Sequence, residues 1–245
     1  MKFAIIRERK NPPDRRVVFT PEQLNRLNSA FAKAEFTVES SPIRVFSDAQ
    51  YLAQGITVSE DISDADVMIG VKEVPKEALI AHKKYFFFSH TIKKQPYNRE
   101  LLREILNKKI ELYDHETIVK KNGARLIGFG RYAGIVGAYN GFRALGLRDG
   151  LFELPKVESL PDYKALKNEL KRIKGDLPAI NVVMTGSGKV AGGIKEILDE
   201  LEIHSIESNE YLQLNSSNSV QAVYTQLDVT DYYTGKDGYK PTKTE

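Results

Sequence analysis

The sequence predicts an α/β protein with two Rossmann-like parallel-sheet domains, the second incomplete. Short apolar runs alternate with amphipathic stretches over the first 130 residues, as βα units around a mainly parallel sheet require. The run ADVMIGV (65–71) is nearly continuous in apolar residues, which suits a parallel strand covered on both faces. Late in the chain, NVVMTGSGKVAGGIKEIL (181–198) joins an apolar strand to a glycine turn and a helix, the opening of a nucleotide-binding unit.

In chain order, FAII (3–6) reads as the first strand. FTPEQLNRLNSAFAKA follows as a helix, with Thr20 as N-cap, Pro21 as first helical residue and Gln23 as capping-box partner; Leu24, Leu27 and Phe31 form its apolar face. FTVES (36–40) is a second strand, and SDAQYLAQG a short helix capped by Ser47 and stopped by Gly55. ADVMIGV and KYFFFSH (84–90) are the third and fourth strands. NRELLREILNKK is a helix with Leu101, Leu102, Ile105 and Leu106 on its apolar face, and IELYD and ARLIGFG read as a strand set. From Tyr132 the character changes. AGIVGAYNGFRALG is small and apolar nearly all round, as a helix packed closely among other elements would be. The domain boundary is therefore expected near 132, with residues 1–132 as a substrate domain and 133–245 as a linker helix plus partial dinucleotide-binding domain. Three prolines, Pro155, Pro161 and Pro178, surround one charged helix before the strands INVVMT, IHSIES and VQAVYTQLD.

Composition narrows the function classes. The 245 residues contain no cysteine, which excludes disulfides and thiolate chemistry, and the four histidines show no HExxH spacing, so no metal is expected. Thirty-six basic and 33 acidic residues are interspersed, which argues against nucleic acid as a partner. No run approaches the ~18 apolar residues of a membrane span, and the N-terminal apolar run is too short for a secretory signal, so the expected location is cytoplasmic.

In the glycine turn, Gly186 permits the tight bend, Gly188 lets a pyrophosphate approach the backbone, and Ala191 is small enough for helix and strand to pack. Glu207, some 20 residues further on, lies where a carboxylate could accept bonds from an adenosine ribose, which favours NAD over NADP. A Walker loop fits less well, because Lys189 is followed by Val190 where a hydroxyl is needed. Glycines that only make the bend remain the alternative reading.

Ligands of open parallel sheets sit beyond the carboxyl ends of the strands. Lys72 and Glu73 follow one strand and His90 another, so they face one crevice if the two strands are neighbours. Arginines of the loop RERKNPPDRRVVFTP can close over it, and an arginine fork is suited to a carboxylate. A lysine and a histidine there can be tuned for proton transfer. A solvated loop lysine and a structural histidine are the plainer readings.

The strings VMIGVKEVP, FFFSHTIKKQPYNRELLREIL, IELYDHETIV and ARLIGFGRYAGIVGAYNGFRALG resemble saccharopine dehydrogenases and the lysine-ketoglutarate reductase domain of bifunctional lysine-degrading enzymes, relatives of alanine dehydrogenase and of the transhydrogenase subunit. The loop ERKNPPDRRVVFTPEQ resembles the family's N-terminal signature. The resemblance implies interconversion of saccharopine with lysine and 2-oxoglutarate through an imine, with NAD or NADP as cofactor. It implies Lys72 and His90 as the acid/base pair, Glu73 and Glu116 as the neighbouring carboxylates, Arg16 as the substrate-carboxylate arginine, and Gly186, Gly188 and Ala191 as the cofactor turn. Family members are longer, so the chain is expected to stop inside the cofactor domain, with an uncovered sheet edge that favours homo-oligomers. Two other readings stay open: a catalytically silent fragment that binds an amino acid or dicarboxylate, and an alanine dehydrogenase-like enzyme.

Overall fold

The predicted helix start is built as the residue types dictate. Thr20 accepts from the Gln23 amide while the Gln23 side chain accepts from the Thr20 amide, with Pro21 as first residue of α1 (Pro21–Ala30). Ser47 and Gln50 repeat the device at α2 (Asp48–Ala53), and Gly55, at φ +73°, ends that segment. This computed structural model describes residues 1–214 and 221–239. The chain divides into two compact units, 1–128 and 129–245.

The first unit holds six parallel strands: β1 (Lys2–Ile5), β2 (Glu35–Glu39), β3 (Thr57–Ser59), β4 (Val67–Ile69), β5 (Lys84–Phe87) and β6 (Glu111–Asp114). Their order is β3-β2-β1-β4-β5-β6. Chain direction across the sheet reverses between β1 and β4, and the crevice for a ligand opens at such a reversal. Ala4, Met68, Tyr85 and Phe87 pack one core with Leu101 and Ile105 of α3 (Arg99–Asn107); Ile5, Val38, Leu24 and Tyr51 form another.

Several expectations are corrected. TVS is a strand too short and too polar to announce itself. ARLIGFG is no strand; only Arg125 bridges back to Val119, in an antiparallel pair. Leu102, Leu106 and Phe31 are exposed, because each lies off the line that faces the sheet, and Phe31 follows the last helical residue.

The second unit holds α4 (Gly130–Asp149), α5 (Tyr163–Ile173), β7 (Asn181–Thr185), α6 (Lys189–Glu200), β8 (His204–Ser205), α7 (Ser208–Gln213), β9 (Val223–Leu227) and α8 (Val229–Tyr232). Among the described residues its three strands are parallel in the order β7-β9-β8. The α/β character and both parallel sheets agree with the expected fold class. The order adds something the spacing did not show: the strand beside β7 is β9, and β8 lies one place further out. On α4 the small residues serve close approach, since Gly134 lies against the Val190 carbonyl of α6 and Gly193 against the Arg131 carbonyl of α4. Among the described residues no helix is long and apolar enough to cross a membrane.

Candidate active site

Because β4 and β5 are hydrogen-bonded neighbours, the residues following them come out at the same sheet end. Ser89 and the residues after β5 turn sharply, with His90 at φ +56°, a left-handed conformation uncommon for a side-chain-bearing residue. Asp114, at the end of β6, accepts from the Ser89 hydroxyl and, at 2.8 Å, from the Glu116 amide, so it ties the β5 and β6 loops together.

The His90 ring is held between two carboxylates. Its Nδ1 lies 3.2 Å from Glu116 Oε2 and its Nε2 lies 3.7 Å from Glu73 Oε1. Lys93 Nζ approaches both Nδ1, at 3.3 Å, and Glu116 Oε1, at 3.4 Å. With its hydrogen on Nδ1 the ring donates to Glu116 and keeps Nε2 as an acceptor; in the other tautomer Nδ1 accepts from Lys93, which can only donate. Glu116 is buried, which by itself would raise its carboxyl. The His90 hydrogen bond and the Lys93 and Arg125 charges outweigh that and hold it below the ordinary value of 4.5. Arg125, 3.0 Å from Glu116 and carried on the small hairpin after β6, is a contributor that no motif spacing announced.

Glu73 also pairs with Lys10 at 3.1 Å. Lys72 sits on the segment leaving β4; among the described residues its ammonium makes no hydrogen bond or ion pair, although its charge helps to hold the Asp14 carboxyl low. Burial alone would raise Asp14, and the side-chain and backbone hydrogen bonds from Arg16 outweigh it. Arg16 thus already grips a carboxylate, through Nε at 2.9 Å and Nη2 at 2.5 Å, so a substrate carboxylate would have to share that fork with Asp14. A cleft of about 590 Å³ opens beside the cluster, lined by Arg9, Lys10, Glu73, Tyr97 and Asn98 among others. His90, Glu73, Glu116, Lys93 and Lys10 are one connected network. Glu8, which sequence reasoning passed over, is buried beneath it and binds the backbone of Val71 and Lys72. Its only signal was its place in the loop after the first strand.

In the second unit, Gly186 has φ +83° and a side chain at Gly188 would meet open space, so both glycines leave the backbone accessible. Ala191 is buried where α6 packs. Accessible backbone ahead of a helix N-terminus is an arrangement that suits an anionic group. Glu207 is not brought to it. That residue is exposed beyond β8, separated from β7 by β9 and thus about 10 Å across the sheet, or two strand spacings. The carboxylate beside the turn is Asp228, which follows β9 and accepts from the Ser187 hydroxyl at 3.3 Å.

The profile of the family "Alanine dehydrogenase/PNT, N-terminal domain" matches residues 4–136, more than half of the chain. The chain belongs to this family. It is similar to alpha-aminoadipic semialdehyde synthase, mitochondrial, of Mus musculus, at 30% identity over 91% of this chain and 26% of that protein. It is also similar to saccharopine dehydrogenase [NAD(+), L-lysine-forming] of Yarrowia lipolytica, at 32% identity over 71% of this chain and 48% of that one. The chain therefore spans about a quarter to a half of the length of these relatives. Among solved structures, an L-alanine dehydrogenase shares the fold with a TM-score of 0.60 at 19% identity, over 92% of this chain and 60% of that one. The strand-end network lies within the residues that the family matches, and the glycine turn lies beyond them.

The network carries a pH dependence. A carboxylate whose folded pKa lies below its unfolded value contributes stability that is present above the unfolded value and is lost as pH falls through the folded one. Glu116 behaves so. The thermal midpoint of the protein is expected to fall on acidification below about pH 4.5, and Glu116→Gln to flatten that fall; identical pH profiles by calorimetry would contradict the assignment.

Proposed function

We propose that this family member acts in an NAD(P)-dependent oxidoreductase of saccharopine dehydrogenase type, interconverting saccharopine with lysine and 2-oxoglutarate. The observation that carries the reading is the His90 imidazole held between Glu73 and Glu116 on the loops beside Lys72, at the strand ends where a parallel sheet binds ligands. The names of the synthase and saccharopine dehydrogenase relatives support the substrate class.

Gly186, Gly188 and Ala191 would hold the nucleotide, which when bound accepts or supplies hydride at the substrate's amine-bearing carbon. The chain's own residues handle protons. A secondary amine must lose its proton before its carbon is oxidised, water attacking the imine must lose one, and the departing amine must gain one. His90 Nε2 and the Lys72 amine are the exchangeable groups for these steps, and Glu116 fixes the ring that carries Nε2. Arg16 would orient a substrate carboxylate while Asp14 keeps its fork in plane. For the ribose, Asp228 is better placed than Glu207, and a carboxylate there favours NAD, since it would repel a 2′-phosphate.

The test is a titration of the protein into NADH, read by the cofactor's own fluorescence, since the chain contains no tryptophan. Saturable enhancement is expected, reduced at least ten-fold in affinity by Gly186→Val, whose side chain is incompatible with φ +83°. NADH oxidation that depends on lysine with 2-oxoglutarate is the expected turnover signal. Activity with pyruvate and ammonia instead would select the alanine dehydrogenase-like reading. Substrate-dependent thermal stabilisation without any turnover would select the binding fragment.

A further inference from the structure

The three residues that leave β4 have no strand on the β1 side to complete their hydrogen bonding, because β1 ends at Ile5 and its chain departs. What replaces the ladder is a pair of buried side chains. Glu8 Oε1 accepts from the Val71 amide at 2.7 Å and Glu8 Oε2 from the Lys72 amide at 2.9 Å. From the opposite side, His115 Nε2 donates to the Gly70 carbonyl at 3.1 Å. The remaining groups are taken by backbone: the Gly70 amide donates to Phe86 and the Val71 carbonyl accepts from Phe88. Every backbone polar group from the Gly70 amide to the Lys72 amide is therefore held. A Cβ on Gly70 would meet the Ile6 side chain at 2.9 Å, so the glycine leaves Ile6 its place beside the bonds that Glu8 makes.

We infer that Glu8 and His115 are positioning residues that clamp residues 70–72 from both sides and thereby fix the direction in which the Lys72 side chain leaves the sheet. Both are buried, and neither lines the cleft described above. His115 uses one ring nitrogen for the clamp, while Nδ1 has no hydrogen-bond partner among the described residues; the ring packs edge-on against Phe88, with 5.2 Å between ring centroids. Burial pushes the His115 pKa down, so the ring is neutral with its hydrogen on Nε2, the tautomer the Gly70 bond requires. Burial also pushes the Glu8 carboxyl up, against the pull of the two amides; Asp14 adds to the rise and Arg16 opposes it. On acidification a protonated Glu8 can no longer accept both amides equally, so the clamp opens from the Glu8 side.

The inference rests on the proposed role of Lys72, so its experiment reads Lys72 without turnover. Wild type, Glu8→Gln, His115→Leu and His115→Gln are labelled with an amine-specific reagent across pH, and the rate at Lys72 is compared by mass spectrometry with that at Lys83 and Lys121. Amide exchange at residues 70–72 is followed in parallel. Glu8→Gln is expected to speed exchange at Val71 and Lys72 at least ten-fold and to change the Lys72 labelling profile while leaving the reference lysines unchanged. His115→Leu is expected to do the same, and His115→Gln, whose amide nitrogen can reach the Nε2 position, to restore the wild-type profile. Faster exchange with an unaltered Lys72 profile would overturn the positioning role and leave only a structural one. Unchanged exchange in both Glu8→Gln and His115→Leu would overturn the clamp itself. Absence of turnover in the wild type would count against the proposed function and leave both of these readouts standing.

Discussion

Lys72→Met is expected to lower turnover with saccharopine by about 10²- to 10⁴-fold, the range over which a positioned acid or base contributes, and to leave the thermal midpoint nearly unchanged. The two halves of that expectation have one source. Lys72 is held by its backbone, through Glu8, while its ammonium makes no hydrogen bond or ion pair among the described residues. Methionine keeps the length and the apolar stem of lysine and removes only the titratable nitrogen, and a change at such a site usually alters stability by no more than about 0.5 kcal/mol. Steady-state kinetics with varied saccharopine separates the outcomes. A lowered kcat with little change in KM is what loss of proton transfer requires. A raised KM at constant kcat would make Lys72 a binding group, and a large drop in midpoint would make it a structural one.

Gly193→Ala is expected to destabilise the second unit severely, whereas the same change at its neighbour Gly192 is expected to stabilise it. A Cβ on Gly193 would lie 1.9 Å from the Arg131 carbonyl oxygen, and one on Gly134 would lie 2.0 Å from the Val190 carbonyl oxygen. Those obstacles are backbone, so no rotamer change relieves them and α4 must move off α6. Overpacking of this kind costs at least about 3 kcal/mol, the upper end of the usual range, which for a domain of this size corresponds to roughly 10 °C in midpoint. At Gly192 a Cβ meets nothing within 4 Å, so alanine brings only its helix propensity, worth roughly 0.5–1 kcal/mol. Calorimetry of the two adjacent variants decides the matter: equal midpoints would mean that the helices do not touch where these glycines cross.

The contrast shows what pattern reading could and could not see in α4. Its small apolar residues signalled close packing, and the structure agrees. Which of its glycines make the contact, Gly134 facing the Val190 carbonyl rather than Gly137 or Gly141 facing open space, depends on where another helix crosses it. The two α-helical N-caps were legible for the opposite reason. Thr20 with Gln23 and Ser47 with Gln50 act over three residues, so their partners are fixed by covalent spacing. The apolar face of α3 was legible only in part, because an amphipathic repeat shows a stripe but not its width; Leu101 and Ile105 are buried while Leu102 and Leu106 reach solvent.

The site divides along the same line. Lys72, Glu73 and His90 could be singled out because they immediately follow buried strands, and strand ends are where a parallel sheet presents its ligands. Glu8 and His115 could not, since each acts on a residue far away in sequence, Glu8 on Lys72 and His115 on Gly70; Arg125 reaches Glu116 only because the chain after β6 folds back in a small hairpin. Sheet order also moved the carboxylate beside the glycine turn from Glu207 to Asp228, because the next strand in the chain is not the next strand in the sheet.

By itself, then, the sequence determined the α/β class, the strand-to-turn-to-helix opening at Gly186, the capped helices and the polar residues at strand ends, all of which depend on neighbours within a few positions. Only the tertiary structure decided which strands adjoin, which helices touch and which buried groups grip the Lys72 segment. Those contacts join residues tens of positions apart, and local pattern holds no record of the distance between them in space.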